Sequence, residues 1–189
     1  MILQKLSSFL TFHNQKFEVN PANYAIAGYD LIILSEHQIC IVIHYLSANC
    51  KTKLANIEKG FRVIHLWEDV WETSPEIVKS RLRSAIGKSN RLPARVMKVK
   101  RIDKPTADAF LHIHHLQGSP KAKFKYGLFL PKNYYRLVED KSSIDESQDE
   151  ILVAVATFAA PKTYYRTDTN SRSIELIHFA NHSEFTIIG

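Results

Sequence analysis

FRVIHLWEDVWETSPEIVKSRLRSAIGKSNRLPARVMKVKRIDK, Phe61 to Lys104, holds the three elements on which the fold turns. FRVIHLW is apolar and β-rich, and predicts a buried strand that ends in the acidic, aromatic corner EDVW. A helix follows with clear boundary signals. Ser74 offers an N-cap, Pro75 the first helical position, Glu76 a carboxylate at the positive end of the dipole, and Gly87 the stop. Val78, Leu82, Ala85 and Ile86 form one apolar stripe, which turns Lys79, Arg81 and Arg83 outward. The rest reads as a basic connector into a second unit. From Lys79 to Lys104, the ten cations Lys79, Arg81, Arg83, Lys88, Arg91, Arg95, Lys98, Lys100, Arg101 and Lys104 face a single acid, Asp103, a local net charge of +9 in a chain whose total is +6. The basic character of the protein is therefore local, and a polyanion is the first partner to consider. The plainer alternative is a solvated face of ordinary surface lysines and arginines.

Working outward, 189 residues with 45% hydrophobic and 11% aromatic content suit one large domain or two small ones with packed cores. The longest apolar runs, Leu31 to Leu34 and Ile39 to Ile43, are strand-length and far below the roughly 20 residues of a membrane helix, so no membrane partner is expected. MILQKLSSFLTFHNQKF lacks an apolar core and a small-residue cleavage site, so no signal peptide is expected. Cys40 and Cys50 are too few for a disulfide framework or a four-cysteine zinc site. Cys40 reads as a buried thiol, and a cytosolic setting follows.

Before the opening stretch, Leu3, Leu6, Phe9, Leu10 and His13 predict an amphipathic helix over residues 2–14, broken by Asn20-Pro21-Ala22-Asn23. YAIAGYDLIIL and ICIVIHYL, separated by SEHQ, read as a β-hairpin. NCKTKLANIEK, residues 49–59, fits a helix with Leu54 and Ile57 inward and Gly60 as its C′ cap. The first unit, residues 1–88, thus reads α, β, β, α, β, α.

A basic hinge over 89–104 leads into a second unit over 95–189. Val96, Val99 and Ile102 alternate with cations in a strand from Arg95 to Ile102, and Pro105 opens a helix through Phe110, Leu111 and Ile113. KYGLFL, ILVAVATFA, SIELIHFA and FTIIG are four strand-like segments. Between the first two, EDKSSIDESQDE, residues 139–150, carries six acids and one lysine and reads as a mobile loop. The sequence ends at Gly189 on an apolar strand with no covering helix, an edge on which a second copy could pair to make a homodimer.

The first unit resembles the restriction-endonuclease-like fold, and among its members the very-short-patch-repair and homing-type nucleases. GYDLIILSEHQICIVIHYL, KTKLANIEKG and FRVIHLWEDVW carry the resemblance. It implies an acid on the first hairpin strand that binds Mg²⁺, matched by Asp30, and further groups at the strand ends, drawn from His44, Glu68 and Asp69. Where the family carries polar or acidic groups on the second strand, this chain has Val42 and Ile43. The resemblance therefore implies an eroded site, with an Mg²⁺-dependent endonuclease using Asp30 and Glu68 as metal ligands as the alternative. Structurally, Trp67 and Trp71 are expected to close the core at the strand end.

The second unit is similar to the GNAT-like (acyltransferase-like) domain that follows such nuclease-like units in phage and mobile-element proteins. His115-Leu116-Gln117-Gly118 and Glu175-Leu176-Ile177-His178-Phe179 carry that likeness, with His178 where Arg is usual. His115 and Gln117, at a helix end before Gly118, are candidates to face a cleft. The Gly-rich loop that would hold the pyrophosphate of acyl-CoA is not in the sequence, so no acyl-CoA site is expected and the unit reads as incomplete. His112, His114 and His115 do not share one helical face, which argues against a metal site.

These readings combine into an α/β chain of two small units. Its expected role is a phage- or mobile-element-type DNA-associated protein that binds duplex DNA through Lys79, Arg81, Arg83, Lys88, Arg91, Arg95, Lys98, Lys100 and Arg101. Lys121, Lys123 and Lys125 before Tyr126, and Tyr164, Tyr165 and Arg166, add cations and stacking groups. An inactive, truncated acyltransferase-like protein is a third reading.

Overall fold

Ile2, Leu6 and Leu10 recur every four residues, and in the computed structural model they are the buried stripe of α1 (Ile2–Phe12), each at most 1% exposed. Burying such side chains stabilises by about 1.5–3 kcal/mol each. The structure describes residues 1–23, 28–47, 60–165 and 170–189. It is mixed α/β with several small sheets, and contacts divide it into Met1–Leu82 and Arg83–Gly189.

In the first unit a four-stranded sheet has the order β1 (Glu18–Val19), β2 (Asp30–Leu34), β3 (Ile39–His44), β4 (Arg62–Trp67). β2 and β3 form the expected hairpin around Ser35–His37, a turn of 3-10 helix closed by Gln38 in the left-handed region at φ 51°. Leu31, Ile33, Cys40 and Val42 make one buried cluster with Tyr29, Phe61 and Val63 around it. Their alternating neighbours Ile32, Leu34, Ile39, Ile41 and Ile43 are equally buried, so the hairpin is covered on both faces. That explains its unbroken apolar runs.

β4 joins β3 in parallel, with Ile39 opposite Arg62 and His44 opposite Trp67. Parallel neighbours need a crossover. The helix expected over 49–59 falls in that connection and lies outside the described residues, as do Tyr24–Ala27 of the first strand run. Gly60 does not adopt the left-handed conformation of a C′ cap.

The expectation of a buried strand at FRVIHLW needs correction. Only Leu66 in β4 is buried, because the strand is last in its sheet. The acidic corner is a short helix, α2 (Glu68–Thr73), which buries Trp71 at 3% exposure and leaves Trp67 at 50%; of the two tryptophans only Trp71 closes the core. Lys5 of α1 donates to Glu72 of α2 at 2.9 Å.

α3 (Pro75–Ala85) begins and ends where its caps predict. Gly87, at φ +72°, lets its own N–H reach the Ser84 carbonyl while the Lys88 N–H reaches Arg83, the paired bonds of a Schellman cap.

In the second unit the connector is built into two sheets. β5 (Asn90–Pro93) pairs in parallel with β12 (Phe185–Ile188), Phe185 opposite Asn90 and Ile188 opposite Pro93. The last strand therefore has a partner on one edge, where the sequence reading left it uncovered. Residues Ala94–Val96 form a 3-10 turn, and the strand expected from Arg95 shrinks to β6 (Lys98–Arg101). All four β6 residues are exposed, Val99 at 70%, because β6 is the edge of a sheet ordered β11-β8-β7-β6.

α4 (Lys104–His114) connects β6 to β7 (Phe124–Pro131), its N-terminus capped by Asp103, whose carboxylate accepts the Thr106 N–H at 2.9 Å. β8 (Glu150–Phe158) and β11 (Leu176–Asn181) complete an antiparallel meander. Between them stands a hairpin the sequence reading missed, β9 (Lys162–Tyr165) and β10 (Asn170–Ser173).

One extra residue in β8 organises the packing. Leu128 pairs with Ala154 but Phe129 pairs with Leu152, so Val153 is a bulge. Before it Ile151, and Val153 itself, join the cluster around Leu92, Leu130, Tyr135, Val138 and Phe185. After it Val155 faces the opposite cluster, formed by Ala107, Phe110 and Leu111 of α4 with Ala180. Gly127 sits under that second cluster. A Cβ there would lie 2.6 Å from Leu152 Cδ1, 2.8 Å from Phe129 Cε2 and 3.1 Å from Ile102 Cγ2.

The acidic loop over 139–150, expected to be mobile, is a folded segment. The Lys132 N–H donates to the Asp149 carbonyl and Tyr135 Oη to that of Gln148. Asp140 and Asp145 accept from the Ser142 and Ser147 N–H groups, turns made by the same short polar residues that suggested disorder. No helix among the described residues is long and apolar enough to cross a membrane.

Candidate nucleic-acid interface

Strand alternation separates the candidates at the sheet end of the first unit. Asp30 pairs with Ile43 and shares its face, whereas His44, one residue on, points to the other. Asp30 is held by neutral donors: Asn20 Nδ2 at 2.7 Å on Oδ1 and Tyr45 Oη at 2.5 Å on Oδ2. Asn20 also accepts the Leu31 N–H at 2.7 Å, which ties the β1 end to β2. Glu68 accepts the Leu46 N–H at 3.3 Å. Burial, the hydrogen bond to Asp30, and the charges of Asp30 and Glu68 together push the Tyr45 phenol well above its usual range. Asp69 accepts the N–H of the next residue, Val70, at 2.8 Å within the first turn of α2.

On the opposite face His44 Nε2 and His65 Nδ1 share one hydrogen bond at 2.8 Å. The His44 ring stacks on Trp67 at 4.2 Å and meets Tyr29 edge-on at 4.9 Å. Burial, then His65, lowers the His44 pKa. Among the described residues no three His, Cys, Asp or Glu side chains come close enough to hold one metal ion. Asp30 and Glu68 thus lack a third ligand there, and the described residues do not fit the Mg²⁺ site that the nuclease resemblance implies.

The two motifs of the second unit, by contrast, meet. The His115 ring stacks on His178 at 4.0 Å, and His178 Nδ1 lies 3.2 Å from the Gly118 carbonyl. The Gln117 N–H donates to His115 Nδ1 at 3.2 Å, while the Gln117 side chain is exposed. Gly118 makes the turn at φ +65°. His114 points elsewhere, into a contact with His182 and Phe110, each at 4.4 Å between ring centroids, and His112 is exposed. The three histidines diverge, as helical spacing requires.

The basic stretch is thinner than its count. Lys79 pairs with Glu76 at 2.7 Å, Arg83 with Glu184 at 2.7 Å, Lys100 with Glu150 and Lys104 with Asp108. Arg81, Lys88, Arg91, Arg95, Lys98 and Arg101 are exposed, and none has an acid partner among the described residues. All but Arg81 belong to the second unit. The pairing acids lie up to 101 residues away in the chain, so a local charge count could not see them. Sequence reading also missed the aromatic neighbours of the two β6 cations. Lys100 Nζ lies 5.3 Å from the Phe129 ring centre and the Arg101 guanidinium 5.7 Å from that of Phe124, contacts set by strand register. Of the additional groups named from sequence, Arg166 and the side chains of Tyr164 and Tyr165 lie outside the described residues. No protein-family model, curated protein or solved structure matches this chain.

Proposed function

We propose that the chain is a DNA-associated protein whose phosphate contacts come from Lys88, Arg91, Arg95, Lys98 and Arg101. One observation carries this reading: five exposed cations between Lys88 and Arg101 lack acid partners among the described residues, while their neighbours Arg83, Lys100 and Lys104 are neutralised. Phosphates are the ligand that such unpaired, exposed cations fit, and each contact releases counterions. Support for a restriction-endonuclease-like first unit is its hairpin followed by a parallel third strand. Support for a GNAT-like second unit is its meander with α4 inserted after the first strand, and the contact between HLQG and ELIHF through His115 and His178. Both remain resemblances. An eroded nuclease-like site agrees with the separation of Asp30 from His44 across the sheet.

Filter binding of duplex DNA over a salt series tests the proposal. If all five cations contact phosphates, log K falls with log salt at a slope of about −4.5, and Arg91→Ala with Arg95→Ala reduces the slope by about 1.8. A flat salt dependence, or a double variant indistinguishable from the wild type, removes the reading.

A further inference from the structure

In the four-stranded sheet of the second unit, register places Arg101, Tyr126, Ala156 and Phe179 in one straight row across β6, β7, β8 and β11. Directly opposed residues share a face. Gly127 and Ala180, on the alternating positions, face α4, so this row lies on the other side of the sheet. That side is open where the row crosses it: Tyr126 is 36% exposed, Phe179 52%, and Val99 beside the row 70%. An antiparallel sheet can present one face to water, but such faces are ordinarily polar. Here two aromatic rings stand two strands apart, about 9.5 Å by strand spacing, over the small Ala156. A guanidinium closes one end of the row, and no Asp or Glu occupies the row or those paired on either side of it.

We infer that this face is a stacking platform for the unpaired bases of a single-stranded nucleic acid, with Tyr126 and Phe179 as the base-stacking rings and Arg101 as a backbone or stacking cation. Flat, exposed rings on a sheet accept any base on its π-face, and a positive edge holds the phosphates beside it. Arg101 already lies over the Phe124 ring at 5.7 Å and is exposed, so its planar group is parked where a base or phosphate can meet it. Lys123, exposed just before β7 begins, adds a second cation beside Phe124. Charge complementarity selects nucleic acid over an acyl chain or an apolar peptide. The inference rests on the phosphate-binding reading above and narrows its partner to strands with unpaired bases.

Fluorescence anisotropy with the full chain, a labelled oligo-dT and a labelled hairpin duplex of equal phosphate number tests it. Phe179→Ala and Tyr126→Leu are each expected to weaken oligo-dT binding about 5- to 100-fold at unchanged salt slope. Duplex binding should be unaltered, and Phe179→Trp should retain oligo-dT affinity. Circular dichroism checks that each variant is folded, and Phe179, being half exposed, is the safer of the two to replace. If both variants bind oligo-dT like the wild type while Arg91→Ala with Arg95→Ala weakens it, the platform is overturned and the basic surface stands. If neither nucleic acid binds with a salt slope, both readings fall. A dimer in light scattering that Phe179→Ala dissolves and oligo-dT does not compete against assigns the face to a second copy and overturns the inference.

Discussion

Replacing His114 by asparagine should flatten the response of stability to acid. His114 ends α4 with its ring 4.4 Å from those of Phe110 and His182, and its Nδ1 accepts the Ser183 N–H at 3.2 Å. The facing groups are His182, whose own Nδ1 accepts the Glu184 N–H, then Glu184 and its partner Arg83. Burial first, and the His182 ring second, lower the His114 pKa from the ordinary 6.5 to about 4. Burial also lowers that of His182, against the pull of Glu184. The sign follows. Below pH 6.5 the unfolded chain takes up a proton that the folded chain refuses until about pH 4, so stability is intact above 6.5 and is lost as pH falls toward 4. A shift of this size has a ceiling of about 3.4 kcal/mol, and the partial exposure of the ring reduces it to roughly 1.5–2 kcal/mol. Asparagine keeps an acceptor near the Nδ1 position and cannot titrate. Urea unfolding at pH 7.5 and 4.5 is the assay. The wild type should lose about 1.5 kcal/mol more than His114→Asn between the two. Equal losses would show that this histidine is already protonated, or freely solvated, in the folded chain.

Gly127→Ala should cost about 1–3 kcal/mol, read as a lower urea midpoint at unchanged m-value, because the added carbon meets Leu152, Phe129 and Ile102 at once. Cys40 is fully buried, and burial raises its pKa to about 11. Peptide mapping after iodoacetamide at pH 8 should find Cys40 unmodified in the folded chain and labelled in urea, since its thiolate fraction is cut by about a hundredfold and access is closed. Labelling at equal rates in both would contradict its place in the hairpin core.

Local signals were the legible ones. The helical recurrence that includes Leu6 and Leu10, the Pro75 and Gly87 ends of α3, and Pro105 in the first turn of α4 each lie within a few residues of what they determine. β5 was not legible, because Asn90-Arg-Leu-Pro93 has one buried apolar residue and becomes a strand only through β12, almost a hundred residues on. The same limit governed the sites. Summing charge over Lys79–Lys104 could not subtract Glu150 or Glu184, and grouping Asp30 with His44 ignored that His44 lies one residue past Ile43, the cross-strand partner of Asp30, and so takes the other face. The row from Arg101 to Phe179 spans four strands and depends wholly on register, which no single segment encodes.

The bulge at Val153 acts as a phase shifter within β8. A period-two scan assigns Ile151, Val153 and Val155 to one side, yet they serve two different cores. Deleting that one residue would leave Leu152 opposite Phe129 and Ala154 opposite Leu128 in an unbroken ladder, with Ile151 and Val155 still on their own faces. The loss should therefore be confined to the one valine taken from the first core, whereas deleting a residue from the regular stretch on either side would turn the remainder of the strand over.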